Sequence, residues 1–162
     1  MELRGALEVY ADGSGTTGNG PACIGVVVTR RGKILCECSA YICQGTNNVA
    51  ELWALRRALY LIRWVGELGA VTPAVIYSDS EYAIGCATAA YKPSKNVELV
   101  YAIQQQVTKH RGFVTFQHVR GHSGNAGNEL ADWLAGIARA RRLAGMCGSR
   151  HHRPRPCGDL EL

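Results

Sequence analysis

The sequence predicts an α/β domain: a mixed sheet of five strands, three antiparallel and then two parallel, flanked by helices. Three observations lead there. Leu7 to Gly15 alternates apolar and polar side chains and stops at Gly13-Ser14-Gly15. Two more strand-like runs follow at hairpin spacing, and helical apolar stripes then alternate with short apolar runs. Hairpins imply antiparallel neighbours, whereas a helix between two strands is a crossover and makes them parallel.

Taken in order, Leu7, Val9 and Ala11 share one strand face, and Glu8, Tyr10 and Asp12 the other. Cys23 to Thr29 and Lys33 to Ile42 form a hairpin about Arg30-Arg31-Gly32. Val49 to Val65 places Leu52, Leu55, Leu59 and Ile62 on one helical stripe, with Arg56, Arg57 and Arg63 away from it. Ala74 to Ser78 is a short strand ending at Asp79, and a helix starts at Ser80. Pro93 marks the loop Ala89 to Asn96, and Val97 to His110 resumes helical spacing. Phe113 to Val119 is the fifth strand, Arg120 to Gly127 a glycine-rich loop, and Asn128 to Leu143 a closing helix on Leu130, Leu134 and Ile137.

Composition bounds the rest. A chain of 162 residues with 47% hydrophobic content can bury one sizeable core. Residues 1–143 are expected to form the domain, and 144–162, with Gly, Pro and Arg but no apolar period, a disordered or loosely packed tail. No apolar run approaches the ~18 residues of a membrane span, and Glu2 and Arg4 precede any hydrophobic stretch. The expectation is a soluble, cytoplasmic protein. Seven cysteines are an odd number for a disulfide framework, so reduced and mostly buried thiols are expected. A formal charge of +5 permits a polyanionic partner without requiring one.

Strand placement carries the chemistry. With the first and fourth strands parallel neighbours, Asp12 and Asp79 lie at one sheet edge about 5 Å apart, the spacing of adjacent strands. Ligands of open α/β sheets bind at that edge. Glu51, in the first turn of the long helix, leans the same way. Each has a plainer reading: Asp12 as a turn residue, Glu51 as the partner of an Asn48 cap, Asp79 as the cap of the next helix. His122 and Asp132 read alone as an exposed loop residue and a solvated helix residue.

Four pieces occur in order: Tyr-Ala-Asp12-Gly-Ser, Thr46-Asn-Asn-Val-Ala-Glu51-Leu, Tyr-Ser-Asp79-Ser-Glu-Tyr, and Val-Arg-Gly-His122-Ser-Gly followed five residues later by Leu-Ala-Asp132. Together they resemble ribonuclease HI, the type 1 ribonuclease H family, from about Leu7 to Arg142. The resemblance implies the same five-stranded sheet. It also implies that Asp12, Glu51, Asp79 and Asp132 are catalytic carboxylates that hold metal, assisted by His122. The implied activity is endonucleolytic hydrolysis of the RNA strand of an RNA–DNA hybrid, largely independent of sequence, leaving 5′-phosphate and 3′-hydroxyl ends.

Clustered carboxylates repel one another, and hard divalent cations with oxygen ligands relieve that repulsion. Two Mg²⁺ ions, with Mn²⁺ as a substitute, are therefore expected, about 4 Å apart if they act on both sides of a phosphate. By resemblance, Asp12 bridges both ions, Glu51 and Asp79 complete one shell and Asp132 the other. Substrate contacts are expected from Gly13, Ser14, Gly15, Thr46, Asn47, Asn48 and Glu81, with the protein acting as a monomer. Glu81 stands where many members carry Gln, and Asn19 is one residue out of register with the family's loop. The long basic handle of some members is replaced by Tyr91 to Asn96, with Lys92 and Lys95 alone. A non-catalytic hybrid-binding module and another nuclease on the same fold are the competing readings.

Overall fold

The computed structural model describes residues 5–66 and 72–145. The expected tail falls almost wholly outside the described residues, as do Cys147, His151, His152 and Cys157. Nine elements follow one another: β1 (Leu7–Ser14), β2 (Gly20–Arg30), β3 (Lys33–Gly45), α1 (Asn47–Val65), β4 (Ala74–Ser78), α2 (Glu81–Ala87), α3 (Val97–Lys109), β5 (Val114–His118) and α4 (Ala126–Leu143). The sheet order is β3-β2-β1-β4-β5. β1 pairs antiparallel with β2 and parallel with β4, and β4 pairs parallel with β5, as the crossover argument required. The β2–β3 hairpin closes through Arg31 and Gly32, both at positive φ, between the paired Arg30 and Lys33. Such a two-residue turn matches the strand twist.

Period-two alternation divides the sheet. Leu7, Val9, Ala11, Ile24, Val26 and Val28 face the larger core, where Leu52, Leu55, Leu59 and Ile62 of α1 meet them, fully or almost fully enclosed. Val100 and Ile103 of α3 close the same layer. Val27 faces the other side, where α4 lies. Here the expected contact stripe shifts. Leu130 and Ile137 are only half-buried, while Ala131, Ala135 and Ala138 are buried. The reason is Gly25: a β-carbon there would collide with the Ala131 carbonyl, so α4 lies against bare strand backbone and small residues make the contact.

The cysteines behave as small apolar residues: Cys23, Cys36, Cys38 and Cys86 are buried, Cys43 is half-buried, and all five are free thiols. Among the described residues no helix is long and apolar enough to cross a membrane.

Candidate active site

The parallel β1–β4 ladder ends at Tyr10 and Tyr77, whose rings stack with centroids 4.9 Å apart. Two residues farther along each chain, Asp12 and Asp79 emerge over that aromatic floor on the α4 side of the sheet. Glu51 arrives from the opposite side, in α1. Its approach depends on Gly13, because a β-carbon there would collide with the backbone nitrogen of Glu51. The strand therefore meets the helix at backbone distance, and Gly13 N–H donates to Glu51 Oε2 at 3.1 Å. Carboxylate oxygens of Asp12, Glu51 and Asp79 all lie within 4.8 Å of one another.

The plainer readings of these residues do not hold. Thr46, not Asn48, caps α1, its hydroxyl accepting from Val49 N–H. The two extra residues at the start of the helix carry Glu51 past capping reach, and its carboxylate turns inward to Gly13. Ser80, not Asp79, caps α2 by accepting from Ala83 N–H. Both carboxylates are thereby released from helix-end duties.

Asp132 approaches from the second turn of α4, which begins at Ala126, two residues before the expected start. It is exposed, and its carboxylate comes near enough to that of Asp12 to help raise the Asp12 pKa. Asp12 is 4% exposed, and its pKa rises from the ordinary 3.8 to about 8. Burial is the largest cause, followed by repulsion from Asp79 and Asp132, while the Gly13 N–H opposes it. Glu51, 5% exposed, is held well above the usual carboxylate range by burial first and then by Asp12 and Asp79. Carboxylates pushed towards their neutral forms by burial and mutual repulsion have an unmet demand for positive charge. A divalent ion on oxygen ligands meets it, and this donor set fits one.

The remaining expected residues surround the cluster at different distances. Gly121 lies directly against Asp79, with room for no side chain: a β-carbon would stand 2.7 Å from Asp79 Oδ2. His122 follows, exposed and with φ at 52°, in a left-handed turn of the loop over the site. Gly15 N–H donates to Asn47 Oδ1 at 3.1 Å, and Asn47 N–H to the Thr16 carbonyl at 2.8 Å. These bonds tie the strand end at Ser14 and Gly15 to Thr46 and Asn47, and Asn48 beside them is exposed. Glu81 is exposed at the start of α2.

One neighbour was not anticipated. His118, the last residue of β5, places Nε2 3.1 Å from the Asp79 main-chain carbonyl and Nδ1 4.0 Å from Glu81 Oε1. Strand alternation marks it as a polar position and nothing more. Its partner is revealed only by the β4–β5 register, in which Ser78 faces His118.

Comparisons with known proteins agree with this geometry. The family profile described as RNase H matches residues 4–140. Ribonuclease H of a Cyanothece species is 34% identical over 156 residues, covering 88% of this chain and 95% of its own. That of Pseudomonas entomophila is 34% identical over 143 residues, covering 80% and 90%. Among solved structures, LC11-RNase H1 isolated from compost superposes with a TM-score of 0.75 at 34% identity, over 85% of this chain and 98% of its own. The same enzyme in complex with an RNA/DNA hybrid gives 0.75 at 31% identity, over 85% and 99%. With three carboxylates meeting beside the strand ends and a family match spanning nearly every described element, the chain belongs to the ribonuclease H family of nucleases.

Proposed function

We propose that this protein is an endoribonuclease that hydrolyses the RNA strand of RNA–DNA hybrids with two divalent ions, leaving 5′-phosphate and 3′-hydroxyl ends. The observation that carries the reading is the meeting of Asp12, Glu51 and Asp79 within 4.8 Å, with Asp132 near enough to Asp12 to raise its pKa. A scaffolding module would have no use for two buried carboxylates held against their ionisation, which costs stability. The hybrid-bound relative supports the choice of substrate.

In this reading Asp12, Glu51, Asp79 and Asp132 would hold the ions, with Asp12 central to the cluster. Bound there, Mg²⁺ or Mn²⁺ would supply an activated water and charge neutralisation at the scissile phosphate. The protein's own part is to fix oxygens. Glu51 is fixed by Gly13 N–H, and Asp132 by its helix on Gly25. His122 reaches over from its loop to move a proton at the leaving oxygen or to release product.

Recognition follows from what the surrounding groups leave free. Asn47 Oδ1 is committed to Gly15, so its Nδ2 donors face outward for a 2′-hydroxyl in the minor groove. Asn48 stands beside it, Thr46 and Ser14 offer hydroxyls to phosphate, and the Gly13 to Gly15 turn forms the wall between them. Glu81 borders the RNA side. None of these groups reads a base edge, so cleavage is sequence-tolerant and salt-sensitive. The protein acts as a monomer, its domain ending with α4.

The deciding assay uses a mixed-sequence hybrid labelled on RNA, with Mg²⁺, Mn²⁺ or chelator, for the native chain and Asp12→Asn. Internal cuts in RNA alone, requiring metal and lost in the variant, are expected. Binding without cutting under either metal would defeat the enzymatic reading, and preferential cutting of branched DNA would point to another nuclease on this fold.

A further inference from the structure

β4 ends at Ser78, so Asp79 lies one residue beyond the last sheet pair, Ser78 with His118. The ladder extends by one more bond, from Val119 N–H to the Ser78 carbonyl at 3.0 Å. Beyond it, β5 turns away through Arg120 and Gly121, and no strand N–H remains for the Asp79 carbonyl. The His118 side chain takes that place, 3.1 Å away. A carbonyl can only accept, so Nε2 must carry the proton. The same peptide is held at its other end: Ser80 N–H donates to Oγ of the fully enclosed Ser78 at 3.2 Å. Two side-chain hydrogen bonds thus replace the missing ladder and set the backbone from which the Asp79 carboxylate projects. Gly121 lies beside that carboxylate, where an added β-carbon would stand 2.7 Å from Asp79 Oδ2.

We propose that His118 is a positioning residue for Asp79: its Nε2–H holds the Asp79 carbonyl so that the carboxylate faces Asp12 and Glu51. This rests on the carboxylate cluster being the cation site of the proposed function. Glu81 Oε1 lies 4.0 Å from Nδ1, on the other side of the ring. The consequence is specific to one atom. Ring size and burial matter less than a donor at the Nε2 position, because His118 is 44% exposed and contributes little to the core.

The test compares His118→Phe, which keeps a ring without a donor, with His118→Gln, whose amide nitrogen reaches the position of Nε2. Calcium binding to the full chain, measured by calorimetry, reports the cluster without requiring turnover. His118→Phe should weaken it about five- to tenfold, the order expected of a group that orients a metal ligand. Gln should restore it to within about twofold of native. Hybrid cleavage with Mg²⁺ should follow through kcat, with KM unchanged, and melting temperatures of all three proteins should agree to within about 2 °C. Native calcium affinity and kcat in the Phe variant would overturn the role. So would a Gln variant as impaired as Phe, since the donor would then not matter. A native chain that binds calcium but cuts no hybrid would instead strike the proposed function and leave the calcium comparison standing.

Discussion

The site divides into two pairs of carboxylates held in opposite ways. Asp12 and Glu51 are 4% and 5% exposed, fixed between β1 and α1, and pushed strongly towards their neutral forms. Asp79 and Asp132 stand at the margin, half-buried and exposed, on segments that leave the sheet or cross it. The inner pair therefore stores an electrostatic cost, and the outer pair stands where solvent reaches it. Burial, more than the count of acids, decides where a cation is most wanted.

The largest effect should come from breaking the inner pair. Asp12→Asn keeps the shape and removes the central charge, so hybrid cleavage should fall on the order of a thousandfold. Stability should move the other way. Freed of the repulsion at Asp12, the variant in chelator at pH 8 should melt about 5 °C above native. Thermal denaturation monitored by circular dichroism reads this directly, and saturating Mg²⁺ should narrow the gap. A variant that is both inactive and less stable in chelator would mean that Asp12 is a structural acid.

The same inner pair sets a pH dependence with a definite sign. Between the unfolded-state pKa near 3.8 and the folded value of about 8, folded Asp12 keeps a proton that the unfolded chain has released. Unfolding then releases protons, so stability falls as pH rises across that window and levels off above it. Each unit of separation is worth about 1.4 kcal/mol before relaxation. Glu51, raised by the same neighbours, adds in the same direction. Urea titrations of metal-free protein from pH 5 to 8 should give decreasing midpoints, and Asp12→Asn should flatten the trend. Midpoints that rise with pH would contradict the assigned burial.

How much of this was legible in the sequence differs between the pairs. The strand order follows from hairpins and a crossover, and it puts Asp12 and Asp79 together. Glu51 is harder, because capping patterns use the same letters. Its place in the cluster turns on Thr46 capping α1 two residues early and on Gly13 having no side chain, both properties of close backbone packing. The motif resemblance supplied Asp132, but not the reason it reaches Asp12: the leucine-centred stripe read along α4 misses that the helix seats on Gly25 through alanines. His118 left no signal at all, since only strand register brings it to the Asp79 carbonyl.

That seating offers a way to disturb the outer pair while sparing the inner one. Gly25 pairs with Asp12 in the β1–β2 ladder, and a β-carbon on it would push Ala131, the neighbour of Asp132, away from the sheet. Gly25→Ala should cost about 1–3 kcal/mol, the usual range for overpacking. Calcium affinity at Asp12, Glu51 and Asp79 should fall less than hybrid cleavage, which also needs Asp132. Equal losses in both would mean that the two pairs are not separable.

The smallest effect tests the rim beyond both pairs. Glu81 is 75% exposed and lies 4.0 Å from His118. A carboxylate facing a phosphate-rich strand repels it, but through water, so the penalty is modest and screened. Glu81→Gln should lower KM for hybrid about two- to threefold at low salt, with kcat unchanged and the difference gone by about 0.5 M salt, where the screening length is only a few ångströms. A change in kcat in place of KM would mean that Glu81 acts through His118 on Asp79, extending the positioning chain by one residue. A salt-independent change in KM would mean direct hydrogen bonding to the substrate, since a short-range contact survives screening that a field does not.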